Sequence, residues 1–407
     1  MDKKRIAIIS VFVLVVLILG YAIYRLFFTA EKEPEGIVLP SGEIIQPGEF
    51  PPSLIAELIR SGQLEPGALP PSAARPGETF RAVTDVAERE VKIVESNIIG
   101  ATVDKNGNAQ FYNENDGKFY RMNSDGTLQL LSDKIFYNVS NVTWSPNNDE
   151  SIIEYPDGSN IYFNFQTGSQ TTLPQHWEEF SFSNDGDRLA SKSIALSTEN
   201  KWLITSNPDG KNVQFIEPMG ENADRVTVDW SPTKKVVALS RTGQSLGADR
   251  QEIILVGLNG ENFKPLTVEG RGLTSQWSPT GQQLLYSVYN ERSDFKPELW
   301  IANADGDNID TNRRPISLNT WAEKCAFANE RYVYCGVPAQ LDTGAGFDPS
   351  IADGTPDQIY KIDLRSGIKT IIETNGNHVI DKMFVNEDGS KIHFTDKSEQ
   401  GLFSIDI

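Results

Sequence analysis

The stretches "VDWSPTKKVVALS", residues 228–240, and "SQWSPTGQQLLYS", residues 275–287, share one pattern: an apolar run ending in Trp, a polar turn opened by Ser-Pro, then a second apolar run. Two short runs rich in β-branched and aromatic residues with turn residues between them read as a hairpin. The pattern returns in "VTWSPNND" (142–149), "FSFSNDGDRLA" (180–190), "CAFANERYVYC" (325–335) and "KMFVNEDGSKIHF" (382–394), with a degenerate copy in "ATVDKNGNAQFY" (101–112). Aligned on Val103, Trp144, Phe182, Trp230, Trp277, Phe327 and Phe384, the copies lie 41, 38, 48, 47, 50 and 57 residues apart. Periods of roughly 40 to 50 residues belong to the four-stranded blades of a propeller. Seven copies predict an all-β, seven-bladed β-propeller over residues 80–407, built of four-stranded antiparallel blades.

The rest of each copy fits. Third strands such as "ELWIANADG" (298–306) and "QIYKIDLRSG" (358–367) follow a variable loop, and fourth strands such as "NFKPLT" (262–267) complete the blade. Eight Asp-Gly pairs punctuate the chain, at positions where tight turns need positive φ. The repeated aromatic reads as core, wedged between neighbouring twisted sheets. The chain ends at "GLFSIDI" (401–407), a third strand with no fourth after it. An open sheet edge is a liability, so "REVKIVES" (89–96) is expected to complete the last blade and close the ring.

The "WSP-x-G" and "F-S-N-D-G" blades resemble those of TolB-like, WD-repeat-like propellers of bacterial envelopes, and more distantly the propellers of prolyl-oligopeptidase-type enzymes. The resemblance covers roughly residues 80–407 and implies the fold. Such propellers serve as adaptors, enzyme lids and binding modules alike, so it implies no single function. TolB proteins are soluble and periplasmic with a separate N-terminal domain. This chain departs from them at its N-terminus, and the Tol-system role is not carried over.

Residues 6–24 are 19 consecutive uncharged, mostly apolar positions, long enough as a helix to cover a hydrocarbon core of about 30 Å. The run exceeds the roughly 7 to 15 residues of a signal-peptide hydrophobic region, and no clear A-x-A cleavage site follows. The expectation is a transmembrane signal anchor at 6–28 with a cytoplasmic tip at 1–5. Four of the chain's basic residues, Lys3, Lys4, Arg5 and Arg25, flank this segment against one acid, Asp2, so the positive-inside rule places the remainder outside the cell membrane. That remainder carries nearly all of the 56 acidic residues behind the net charge of -19 and should repel nucleic acid and anionic lipid surfaces. Residues 29–79 contain nine prolines and read as a semi-rigid linker, with a possible short helix at 53–61.

Chemistry-bearing motifs are sparse. "GQSLG" (243–247) fits the nucleophile elbow G-x-S-x-G, but Ser245 would need a base from among His176, His378 and His393, and no region after the propeller remains to build a hydrolase sheet. "NADGDNID" (303–310) begins like a calcium loop but lacks the sixth-position Gly and carries Arg314 where the bidentate Glu belongs. No zinc spacing, P-loop or dinucleotide fingerprint occurs. No catalytic residue, metal or cofactor is therefore assigned. Cys325 and Cys335 lie five residues on either side of Glu330, so a hairpin there sets them opposite each other, within disulfide reach. An extracytoplasmic location permits oxidation, and a disulfide is favoured over two buried thiols.

Loops joining second to third strands emerge on the same face as the connections between blades. They are short in blades one and two, whereas blades three to six carry "SIALSTENK", "RTGQSLGADRQ", "YNERSDFKP" and the long insertion from Pro338. Long loops within a compact repeat are usually functional or disordered. The binding-face candidates are Trp177 and Trp321 as aromatic anchors, with Arg241, Arg250, Arg292, Asp294 and Asp348 supplying charge complementarity. The alternative for both Trp residues is packing beneath the loops. The expected function is non-enzymatic binding of a protein, peptide or envelope glycan. The competing expectation is a glycan hydrolase or lyase with two carboxylates in the central funnel.

Overall fold

The computed structural model describes residues 37–38, 44–45, 80–82 and 90–407, except 124–125, 147–148, 262 and 387. The anchor at 6–28, its tip at 1–5 and the helix expected at 53–61 lie outside the described residues, as does most of the linker at 29–79. Among the described residues no helix is long and apolar enough to cross a membrane. The chain divides into two compact units, Met1–Ala73 and Ala74–Ile407. Of the first, Ile37–Val38 is described as pairing with Ile44–Ile45.

The second unit is a seven-bladed propeller. Blades one to five are consecutive four-stranded meanders opening at Ile98–Val103, Asn141–Trp144, Trp177–Phe182, Val226–Val228 and Arg271–Trp277. Blade six opens at Cys325–Phe327 and blade seven at Ile380–Val385. In blade seven the chain supplies three strands, and Glu90–Val94 pairs antiparallel with Gly401–Asp406 as the fourth. Blade six differs from the uniform four-stranded pattern: Phe80–Ala82 adds a fifth strand, parallel to its outer strand Lys369–Ile372. Three residues carry no periodicity that marks a strand, so this addition is invisible in sequence; it covers an edge left open in the other blades.

The repeated signature has a local cause. In blades three to five the residue after the inner aromatic closes the first hairpin with its side chain: Ser231 Oγ accepts Val236 N at 3.1 Å, Ser278 Oγ accepts Gln283 N at 3.1 Å and Ser183 Oγ accepts Arg188 N at 3.1 Å. In blade seven the same bond is made by Asn386, two residues after Phe384, its Oδ1 accepting Lys391 N at 2.8 Å. Ser183, Ser231 and Ser278 are buried, where a hydroxyl without a partner is costly; Ser145 of blade two, also buried after a Trp, makes no such bond.

The aromatics before them form the core. Phe182, Trp230, Trp277 and Phe384 are buried in separate apolar clusters, each joining neighbouring blades. Trp144 is half-buried and donates from Nε1 to the Gly100 carbonyl of blade one at 2.7 Å. Cys325 and Cys335 are register partners on the first two strands of blade six, with Cα atoms 4.0 Å apart, and are joined by a disulfide.

Candidate functional site

Because strands alternate in direction, the loops between second and third strands share one face with the segments between blades. On that face lie the loops 195–200, 241–250, 290–297 and 339–356 of blades three to six.

The longest of these is anchored sideways. Gly344 N donates to Asp294 O at 2.9 Å and Gly346 N to Phe295 O at 2.8 Å, joining the blade-six loop to the blade-five loop. Phe347 then packs on Tyr289 and Phe295, with ring centroids 4.6 and 5.1 Å away. Gly346 is needed for this approach, since a Cβ there would stand 2.6 Å from the Tyr289 ring. Asp294 and Phe295 both hold positive φ, 53° and 54°. An aromatic residue in the left-handed region is strained, and such strain concentrates at ligand clamps and switch regions. The result is Phe347 held on a fixed aromatic base yet 63% exposed.

Other apolar side chains are exposed on the same face. Leu196 in blade three is fully exposed, Leu246 in blade four is 38% exposed and Ile351 in blade six is 44% exposed. Single exposed apolar residues need no explanation; these lie on the loops of blades three, four and six.

The residues expected from sequence fare differently. Trp177 and Trp321 do not reach the surface: Trp177 is 4% exposed and packs with Leu173, Phe180 and Phe182, while Trp321 is 5% exposed beneath Leu341, Ala345 and Ala352 of the long loop. Trp321 thus packs beneath a loop, whereas Trp177 packs in the apolar cluster between blades two and three. Arg241 is half-buried and donates to the Asp224 carbonyl at 2.7 Å. Arg250 is exposed. The Arg292 guanidinium lies 3.6 Å from Glu269, and Asp294 is 3.9 Å from Lys296, both at the surface. Asp348 caps the turn Pro349–Ala352, accepting Ser350 N at 3.1 Å, and the Ser350 hydroxyl that donates to it holds its carboxyl below the usual range. Phe347, one residue away, was missed, because an isolated aromatic in a long polar loop carries no periodic signal.

The loop at 243–247 joins Val236–Ser240 to Gln251–Gly257, a strand to a strand, which is not the setting of a nucleophile elbow. Arg271 of blade five pins it, donating to Ser245 Oγ at 3.2 Å and to the carbonyls of Gly247 and Ala248 at 3.0 and 3.2 Å. The three histidines are distributed: His176 is exposed, while His378 and His393 are buried in separate settings. Asp305 and Asp310 of the calcium-like stretch are engaged by Lys235 and Arg313. Among the described residues no group of three or more His, Cys, Asp or Glu side chains is arranged to hold a metal ion. Beside the inner strand of blade four, burial pushes the Asp229 carboxyl up to about 7.

Fold and loop face together define a seven-bladed β-propeller with an apolar, loop-built surface. No family model matches the chain, and no curated protein does. Solved structures do. An oligogalacturonate lyase from Vibrio parahaemolyticus is similar at a TM-score of 0.56 with 13% identity, covering 80% of this chain and 95% of that one. An oligogalacturonate lyase in complex with manganese gives 0.55 and 12%, covering 80% and 94%. The β-propeller domain of Myceliophteria thermophila Cps50 (Swd1) gives 0.50 and 10%, covering 78% and 98%. At these identities the likeness is one of fold.

Proposed function

We infer that the chain is a TolB-like, extracytoplasmic binding module, tethered to the cell membrane by residues 6–28, that receives an apolar segment of a protein or peptide partner on its loop-rich face without catalysing a reaction. One observation carries this reading: Phe347 is fixed on Tyr289 and Phe295 by backbone hydrogen bonds between two blades and left 63% exposed. A rigid aromatic presented at low entropic cost is the usual centre of a protein-binding hot spot. Leu246 and Ile351 supply further apolar area, and the exposed Arg250 and Arg292 supply a polar rim.

The competing reading is a glycan hydrolase or lyase working from the central funnel, which requires two carboxylates facing each other across the site.

Crosslinking in intact cells, followed by identification of the captured proteins, tests the binding reading. Phe347→Asp and a variant with the 338–358 loop shortened should both lose the partners that the unaltered chain captures, with unchanged thermal stability for Phe347→Asp. Equal capture by all three would overturn the placement of the face.

A further inference from the structure

On the opposite face, where the ring closes, the outer part of the junction between blades seven and one opens into a cleft of about 910 Å³, within the roughly 300–1,000 Å³ of small-ligand sites. This junction too holds an apolar cluster, with Val94, Phe111, Phe384 and Leu402, and the cleft beside it is lined by amides, hydroxyls and charged side chains together with apolar ones. Asn108 and Asn123 stand on the blade-one side, Asn386 and Ser404 on the blade-seven side. Met122, Val91 and Ile93 add an apolar strip.

His393 is part of the wall. Its ring is 1% exposed, lies against Phe384 with centroids 5.5 Å apart, and its Nδ1 has no hydrogen-bond partner. A buried ring nitrogen without a partner carries a desolvation penalty that a ligand atom would remove. Burial pushes the His393 pKa down to about 4, so at neutral pH the ring has one N–H donor and one lone-pair acceptor. A hydroxyl group, which both donates and accepts, satisfies either tautomer.

The two cations of the wall already have acidic partners: Lys391 is ion-paired with Asp406, and Lys92 Nζ lies 4.0 Å from the Glu399 carboxylate and donates to the Glu399 carbonyl at 3.2 Å. No cation is left over to select a phosphate or carboxylate ligand, and the strongly acidic chain disfavours anions generally. A sugar ring offers what remains: hydroxyls for amides and imidazole, and C–H faces for an apolar strip.

We propose that the cleft between the first and last blades binds an uncharged oligosaccharide, with His393 at its floor as a positioning hydrogen-bond partner. The site lies on the face opposite Phe347 and does not depend on the protein-binding reading.

The test is nitrogen NMR of the imidazoles in the full-length chain, kept free of sugar-based detergents, as maltotriose, cellotriose and chitotriose are added in turn. With three histidines in the chain, the His393 ring is assignable and the exposed His176 serves as an internal control. At least one trisaccharide should shift the His393 ring nitrogens and leave those of His176 in place. Asn123→Trp, which blocks the cleft from a surface turn without touching the core, should weaken that binding by about tenfold or more. The proposal is overturned if no trisaccharide moves the His393 ring, if Asn123→Trp binds as well as the unaltered chain, or if trileucine, added as an apolar control, moves the ring as far as the trisaccharides do.

Discussion

Ser231 and Ser278 stand out in the sequence because each follows a Trp and precedes a Pro, and in the structure each hydroxyl oxygen accepts a hydrogen bond from the backbone N–H five residues on. That bond is local, so its signature is local and legible. Gly100 is the opposite case. It holds φ +63°, and a Cβ there would lie 2.6 Å from Val142 Cβ and 2.9 Å from Val142 O, in the neighbouring blade. Nothing in "NIIGATV" announces that approach. We predict that Gly100→Ala destabilises the propeller by about 2 kcal/mol, because strain at positive φ and an inter-blade clash act together. Urea unfolding followed by tryptophan fluorescence measures it. A change below about 0.5 kcal/mol, the ordinary scatter of surface substitutions, would show that the blades move apart freely at this point.

At the scale of the element, the hairpin of blade six and the loop that follows it differ in what could be read. The hairpin was legible because the even spacing of Cys325 and Cys335 about Glu330 fixes their register whatever surrounds them. The pair is fully buried, and a cross-link closing a loop of this length contributes about 2–3 kcal/mol, chiefly by restricting the unfolded chain. Cys325→Ala with Cys335→Ala should lower the unfolding free energy by that amount while the protein remains folded. Thermal and urea unfolding with and without reductant would check it, and the double variant should be insensitive to reductant. The length and face of the 339–356 loop were also legible. The direction of Trp321 was not, since it depends on Ala345 and Ala352, more than twenty residues further along, being small enough to seat over the ring. The same loop brought Phe347 onto Tyr289 and Phe295 of another blade, a contact between residues with no common periodicity.

At the scale of the molecule, the decisive contact is the closure between the two ends of the propeller. Strand pairing is accompanied there by His378, 1% exposed, whose ring nitrogens lie 2.6 Å from Asp396 Oδ2 and 2.8 Å from Glu90 Oε1. Both partners are acceptors, so the imidazolium satisfies both at once. Burial works to lower the His378 pKa, but the hydrogen bond to Asp396 and the charges of Asp396 and Glu90 outweigh it and raise the value. For Asp396, burial opposes ionisation, yet the His378 bond brings its pKa down to about 2.

The signs then set a window. The His378 contribution is fully present below its unfolded value of about 6.5 and is lost as pH rises through the raised folded value. The Asp396 contribution is present above about 3.9 and is lost as pH falls toward about 2. Ring closure is therefore firmest from about pH 4 to about pH 6.5. We predict that the melting temperature of the unaltered chain falls more between pH 6 and pH 9, values chosen to bracket the histidine range, than that of His378→Gln. Asp396→Asn, which leaves the buried ring with only one of its two carboxylate partners, should cost about 3 kcal/mol. Differential scanning calorimetry across pH tests both, and parallel pH profiles for His378→Gln and the unaltered chain would show that His378 does not hold the closure.

The sequence by itself determined the seven-fold repeat, the hairpin caps, the disulfide register and the crowding of long loops onto one face. Each is set by spacing along the chain or by hydrogen bonds within a few residues, and spacing is what a sequence records. Only the tertiary structure decided that Trp177 and Trp321 face inward, that Phe347 is the exposed aromatic, that Phe80–Ala82 joins blade six in parallel, and that a polar cleft with an unpartnered His393 nitrogen remains at the ring's closure. Those outcomes depend on which side chains from distant blades arrive at the same place. In a propeller every blade packs on both neighbours, and the first meets the last only when the ring has closed.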